Sequence, residues 1–354
     1  MNILLTGGAG YLGSVLLPKL LVRGHKVRVL DLGYFGIGHL QSYQRQVELH
    51  RDDIRRFGTD AEFTDRMLDD IDCVIHLAAI SNDPSADLNP QLTTEVNFEA
   101  TIALAEAARS RGIRLLFSSS CSVYGEADNA NDETGSLNPL TTYAVSKVNA
   151  EKTLIGMAND NWSPVILRNG TLFGYSPRMR FDLVVNIFSL YSVVHNEIRI
   201  FGEGQQWRPF LHVGDCARAF LFLAEKEKLS NIVYNIAHED LRVVDVAEIF
   251  CKLIPGVQRT HVEQTDPDHR DYRVNTDRAT TEGFTTTTGV AGGAEEMTEA
   301  IICGLIPDPE SIYYRNAKWL KELTNIGLKD HKDLMGMMET LSSLRSQSTP
   351  SSEI

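Results

Sequence analysis

The chain has 354 residues, a formal charge of −13, 43% hydrophobic residues and 23% charged residues. That length suits one large α/β domain, or a large domain with a smaller lobe, and the composition allows a buried core. The acidic balance argues against a surface for nucleic acid or an anionic membrane, so an anionic substrate needs a local basic patch. Five cysteines, Cys73, Cys121, Cys216, Cys251 and Cys303, form no C-x-x-C pair. No metal site is therefore expected, and scattered thiols fit a reducing, cytoplasmic setting. The N-terminus enters directly on Ile3-Leu4-Leu5 without a signal-peptide pattern, and no apolar run is long enough to span a bilayer.

Strands are predicted at Asn2–Thr6, Lys26–Asp31, Val47–His50, Cys73–Leu77, Arg114–Ser119 and Val165–Arg168, with helices such as Tyr11–Arg23 and Glu95–Arg111 between them. Several of these strands are continuous apolar runs, as burial on both faces requires. Strand–helix alternation implies a doubly wound parallel sheet over residues 1–170, with ligands at the carboxyl ends of the strands. Beyond residue 170 the pattern is mixed. Helices are predicted at Phe181–Val194, Val213–Glu225 and Val243–Leu253, and strands at Ile198–Phe201 and Ile232–Ile236. This reads as a smaller lobe over 171–341, with some chain crossing back to the sheet. Thr285–Gly293 reads as a loop and the serine-rich 342–354 as a disordered tail. Met335, Met337 and Met338 read as packing residues.

The first strand runs into Gly7-Gly8-Ala9-Gly10-Tyr11-Leu12-Gly13, a glycine loop that opens a helix. Gly7, Gly10 and Gly13 let the backbone approach a pyrophosphate, and the helix start supplies free N–H groups. Asp31 ends the second strand, eighteen residues beyond Gly13. A carboxylate there accepts from both ribose hydroxyls and repels a 2′-phosphate, which favours NAD over NADP. Arg28 lies within that strand rather than after it. Asp53 and Ile54 fall where adenine would lie, as an acceptor and a packing surface or as a plain loop.

Tyr143-Ala144-Val145-Ser146-Lys147 places a phenol and an ammonium on one helical face. A phenol of pKa about 10 is a poor base at neutral pH. A neighbouring ammonium lowers that pKa, and so does the positive nicotinamide. Ser118, Ser119 and Ser120 end a buried strand upstream, where ligands bind.

Taken together, the glycine loop, Asp31, His76-Leu77-Ala78-Ala79, Asn97, Ser118 through Gly125 and Tyr143-x-x-x-Lys147 resemble the extended short-chain dehydrogenase/reductases. The resemblance is nearest to nucleotide-sugar epimerases and dehydratases of the UDP-glucose 4-epimerase kind, and it covers roughly residues 1–280. It implies a Rossmann-type doubly wound parallel sheet with a smaller mixed α/β substrate-binding lobe, and a homodimer. It also implies that Ser120, Tyr143 and Lys147 are catalytic, with Tyr143 and Lys147 also touching the cofactor. Leu77, Ala78, Ala79, Asn97 and Ser118 would surround NAD with the glycine-loop residues Tyr11 and Leu12. Ser81, Ser120, Thr171, Asn186, Arg208 and Arg270 would meet a nucleotide-diphosphate sugar. Guanidinium suits phosphate geometry. Arg273 competes with Arg270 for the inward position, and Arg178 and Arg180 are either at the mouth of the cleft or solvated.

Some positions depart from the family pattern. Thr171 stands where an asparagine is common. Cys121-Ser122 stands where 4,6-dehydratases carry Asp-Glu, so elimination is disfavoured. Cys121 lies one residue before the acid/base cysteine of GDP-fucose synthases and GDP-mannose 3,5-epimerases, which points it to the other face. Cys121 and His212 are therefore read as structural. The leading expectation is NAD-dependent C4 epimerisation of a nucleotide sugar through a 4-keto intermediate. A nucleotide-4-ketosugar reductase or nucleotide-sugar dehydrogenase competes with it, as does a non-catalytic dinucleotide sensor or scaffold.

Overall fold

The computed structural model describes residues 1–263 and 269–325. The expected tail over 342–354, the three methionines Met335, Met337 and Met338, and the lobe residues 326–341 lie outside the described residues.

The central sheet has seven strands: β1 (Asn2–Thr6), β2 (Lys26–Asp31), β3 (Val47–Arg51), β4 (Cys73–His76), β5 (Arg114–Ser120), β6 (Val165–Asn169) and β7 (Val233–Ile236). Their order is β7-β6-β5-β4-β1-β2-β3, and every neighbouring pair is parallel. The helices that matter for the site are α1 (Gly13–Val22), α2 (Ala100–Ser110), α3 (Thr142–Gly156), α4 (Val184–Val194), α5 (Val213–Glu225), α6 (Val243–Leu253), α7 (Val290–Ile302) and α8 (Asn316–Asn325).

Two cores sandwich the sheet, and β1 shows why. Successive strand residues face opposite ways. Ile3 and Leu5 pack with Leu16, Leu17 and Leu20 of α1 and with Ala217 and Phe220 of α5. Leu4 packs on the other side with Leu104 and Ala105 of α2 and Leu154 of α3. Neither face meets water, so the strand must be apolar throughout. Each such side chain contributes about 1.5–3 kcal/mol on burial.

The second lobe has its own aromatic core, including Phe173, Phe188, Phe210 and Phe250. A three-stranded sheet orders Glu239–Arg242, Trp207–His212 and Thr171–Phe173. The chain crosses back from this lobe twice: β7 completes the central sheet and α5 packs beside α1.

Several boundaries moved. Helix α1 starts at Gly13, because Tyr11 and Leu12 belong to the turn of the glycine loop. Helix α4 starts at Val184, after an extended Leu183. The loop expected over Thr285–Gly293 ends early, because α7 begins at Val290. Val290, Ala294, Met297 and Ile301 recur on one buried helical stripe. Packing of that stripe overrides the poor helix propensity of Gly292 and Gly293.

Candidate active site

A cavity of about 790 Å³ opens at the carboxyl ends of the central strands, around the point where strand order reverses between β1 and β4. Residues from both lobes line it.

The cofactor end is largely backbone. Gly7 has φ +72°, and a Cβ there would lie 2.6 Å from the Ala78 nitrogen. A Cβ on Gly13 would lie 2.4 Å from the Gly7 carbonyl oxygen. The Gly10 N–H donates to that carbonyl at 3.0 Å, closing the turn. No side chain caps the start of α1; Ser14 N and Val15 N donate to the Gly10 and Leu12 carbonyls at 3.0 and 3.1 Å, which leaves the Leu12 and Gly13 N–H groups ahead of them for a ligand. Gly7, Gly10, Tyr11, Leu12 and Gly13 all line the cavity. The Tyr11 hydroxyl donates to the Gly174 carbonyl at 2.6 Å, tying the loop to the second lobe.

Asp31 lies at the end of β2, where its oxygens accept from Ala9 N at 2.9 Å and Gly33 N at 2.8 Å. Burial raises its pKa, opposed by these two N–H donors. Each carboxylate oxygen keeps capacity for a ribose hydroxyl. Arg28 is turned away, paired with Glu48 at 2.7 Å. Asp53 and Ile54 line the adenine side, and Arg55 holds the Asp53 carboxylate at 2.7 Å. Leu77, Ala78, Ala79 and Ser118 line the opposite wall. A glycine-only cradle at a helix start, with an acid after the second strand, fits the pyrophosphate and ribose of NAD.

Asn97 does not line the cavity, contrary to expectation. It is fully buried in a single π-helical turn, Glu95–Glu99. Its Oδ1 accepts from Ile80 N at 2.8 Å, and its Nδ2 donates to Ile80 O at 3.0 Å and Ser146 Oγ at 3.2 Å. Asn97 thus locks the Leu77–Ser81 stretch to α3.

Ser120, Tyr143 and Lys147, the residues expected to be catalytic, come together on the cavity wall. Thr141 caps α3, accepting from Ala144 N at 3.1 Å, which fixes Tyr143 in the first turn. Tyr143 shares a hydrogen bond with Ser120. Lys147 Nζ donates to the Ser118 carbonyl at 2.8 Å and lies 5.7 Å from the Tyr143 ring centroid. Burial lowers the Lys147 pKa to about 8, with Glu151 opposing. A buried Arg168–Glu151 pair at 2.7 Å pins α3 to β6. The expected lowering of the Tyr143 pKa does not come from the protein alone, because burial outweighs the arginines. Burial pushes that phenol up to about 12 and Asp83 adds to the rise. Arg180, the Ser120 hydrogen bond and Arg270 only partly oppose.

The sugar end is built of arginines. Thr171, Ser81, Arg208 and Arg270 line it. Arg208 donates to the Trp207 carbonyl at 2.7 Å and also to the Arg270 carbonyl. Arg270 pairs with Asp83 at 2.6 Å. Arg273 instead lies over the Trp207 ring and does not line the cavity, so Arg270 is the inward arginine. Arg178 and Arg180 are neither solvated nor at the mouth: both are buried in the wall, with Arg180 paired to Asp182 at 2.9 Å.

Asn186 is a second correction. It is fully buried, does not line the cavity, and spends its amide on the Gly174 N–H, the Tyr11 hydroxyl and the Arg180 carbonyl. Cys121 is buried with Sγ towards the Arg168 carbonyl, while Ser122 faces the cavity. His212 pairs with Glu296 at 2.7 Å and caps α5, away from the cavity.

Asp83 and Asn316 are among the lining residues that the sequence did not single out. Asp83 starts a short helix, Asp83–Ala86, that Asn82 caps by accepting from Ser85 N at 3.1 Å. Asn82-Asp83-Pro84 is a legible helix-start signature, directly after the stretch that lines the cofactor. Asn316 reaches the cavity only because the C-terminal segment folds back across it, and no local motif announces that. Among the described residues, no three His, Cys, Asp or Glu side chains could hold a metal ion, and no helix is long and apolar enough to cross a membrane.

Residues 3–237 match the model of the NAD dependent epimerase/dehydratase family. The Uncharacterized UDP-glucose epimerase YtcB of Bacillus subtilis is 31% identical over 268 residues, covering 70% of this chain and 81% of that protein. UDP-glucuronic acid decarboxylase 1 of Arabidopsis thaliana is 29% identical over 268 residues, covering 72% of this chain. The match spans only 58% of that decarboxylase's own length. The solved structure of UDP-glucuronic acid 4-epimerase from Bacillus cereus, in complex with UDP-glucuronic acid and NAD, superposes with a TM-score of 0.73. It is 27% identical and covers 86% of this chain and 99% of that one. With this match, a glycine cradle and Asp31 at one end of the cavity and Ser120, Tyr143 and Lys147 at its centre, the chain belongs to the NAD-dependent epimerase/dehydratase family.

Proposed function

We propose that the protein epimerises a nucleotide-linked sugar at C4 through a 4-keto intermediate. The observation that carries this reading is the Ser120–Tyr143 pair on the cavity wall without carboxylates at positions 121 and 122. NAD, when bound, supplies a reversible hydride acceptor at the sugar carbon. Tyr143 takes the proton of the 4-hydroxyl and later returns it, while Ser120 hydrogen-bonds the same oxygen. Lys147 holds the nicotinamide ribose and keeps positive charge near the phenol. Arg208 and Arg270 hold the diphosphate, so the sugar can turn about that link between removal and return. Dehydration would need an acid and a base beside Tyr143, and Cys121 and Ser122 supply neither. Residues 1–170 hold the cofactor in this reading, and the lobe from 171 holds most of the substrate. The homodimer implied by the family resemblance and the cytoplasmic setting expected from the scattered thiols belong to the same reading.

The decarboxylase relatives make loss of carbon dioxide from a nucleotide uronate the second reading, since it begins with the same C4 oxidation. Proton NMR of the purified protein with UDP-, dTDP-, GDP- and CDP-sugars, including UDP-glucuronic acid, plus catalytic NAD, tests both. A new C4 epimer with no net NADH supports epimerisation. A pentose product replaces it with decarboxylation, and stoichiometric NADH replaces it with a dehydrogenase.

A further inference from the structure

The cavity wall facing the glycine loop contains a cation whose hydrogen-bonding edge is not filled. Arg178 is 2% exposed and lines the cavity beside Phe35 and Asn316. Its guanidinium stacks on the Phe35 ring, 3.8 Å from the centroid. It donates to the Met179 carbonyl at 3.3 Å and to Asn316 Oδ1 at 2.6 Å, both neutral acceptors. Its Nε is buried without a partner. Among the described residues, no carboxylate stands within ion-pair distance of it: Asp182 is taken by Arg180, and Asp31 acts at longer range. A buried guanidinium without an anion is costly, so its position asks for an anionic ligand.

The surroundings say which anion. Ser176 ties this segment to the glycine loop by donating to the Tyr11 carbonyl at 2.8 Å, and its Oγ accepts from Arg178 N at 3.3 Å. Arg178 therefore stands near the glycine loop whose amides would cradle a pyrophosphate, and close enough to Asp31 for the two charges to act on each other. We propose that Arg178, oriented by Asn316, binds the pyrophosphate of NAD from the second lobe and completes the site that the glycine loop begins. The C-terminal segment becomes part of the cofactor site in consequence. Asn316 Nδ2 donates to Ser81 Oγ at 3.3 Å, Trp319 Nε1 to the Tyr34 carbonyl at 2.7 Å, and the Tyr313 hydroxyl to the Phe35 carbonyl. These bonds join the loop after β2 to the loop after β4 over the dinucleotide end.

The inference rests on the cofactor assignment, and calorimetry separates the two. Full-length protein stripped of nucleotide is titrated with NAD, ADP-ribose, 2′-phospho-ADP-ribose and adenosine. Arg178→Met should weaken NAD and ADP-ribose alike by about 10- to 100-fold, the worth of a charge-assisted hydrogen bond, and leave adenosine unchanged. Asn316→Ala keeps the guanidinium but frees it, and should weaken both by about fivefold. If Arg178→Met does not fold, unchanged ADP-ribose binding by Asn316→Ala overturns the proposal. So does a folded Arg178→Met that binds ADP-ribose like wild type. So does a loss shared by adenosine, or one confined to the 2′-phosphate. Wild-type protein that binds neither NAD nor ADP-ribose overturns the cofactor site itself.

Discussion

The cofactor end of the cavity is made mainly of backbone, while the sugar end is made of long cationic side chains that already have partners. At the first, Gly7, Gly13 and the end of β2 are fixed by the sheet and by close backbone contacts. At the second, Arg208 is spent on the Arg270 carbonyl, Arg270 on Asp83 and Arg180 on Asp182. In the proposed reading, a diphosphate meets arginines that these acceptors already orient. The first end is pre-organised, which lowers the ordering cost of binding a cofactor there.

Substitutions can break or sharpen that contrast. The largest effect belongs to the chemistry between the two ends. Tyr143→Phe removes the acid/base while preserving the ring, and kcat should fall by about 10³-fold or more with NAD still bound. Single-turnover assays and the nucleotide content of the purified variant check this together. Gly7→Ala attacks the backbone end. Its Cβ would overlap the Ala78 nitrogen at a positive φ, so the dissociation constant for NAD should rise about 100-fold. Binding of the substrate's nucleoside diphosphate should hardly change, and calorimetry with each ligand tells the ends apart. Arg208→Met attacks the side-chain end and should raise KM for the sugar nucleotide about 10-fold with NAD affinity intact. An equal loss of NAD would erase the distinction between the ends.

The smallest effect is a shift in pH profile. Asp83 raises the Tyr143 pKa, so neutralising it stabilises the phenolate. The base is active when deprotonated, and activity rises with pH through its pKa. Asp83→Asn should therefore move the acidic limb of kcat/KM to lower pH by about one unit or less. An unmoved limb, or one moved upward, would remove Asp83 from the electrostatics of Tyr143.

Much of the cofactor end was legible because its chemistry is local. A strand, a glycine turn and a helix start are consecutive in sequence, and Asp31 follows one strand later. The catalytic pair was legible for the same reason: Tyr143 and Lys147 share one helical face. Asn97 and Asn186 were placed beside ligands by resemblance alone. Their amides have both donors and acceptors, so a buried backbone stretch or a tyrosine hydroxyl satisfies them as well as a ligand does. Sequence position does not say which partner wins.

The sequence by itself determined the sheet, the side of the sheet on which ligands bind, the dinucleotide cradle and the Ser–Tyr–Lys set. Apolar runs, glycines and helical spacing act over a few residues and leave the chain little choice. Only the tertiary structure decided that Arg270 rather than Arg273 faces the cavity, that Asp83 stands beside Tyr143, and that Arg178 and Asn316 meet across the cofactor end. Such contacts join residues far apart in sequence: Asp83 and Tyr143 are 60 residues apart, and Arg178 and Asn316 are 138 apart. Which long side chain turns inward is settled by the packing of two lobes together, a global property that no local pattern encodes.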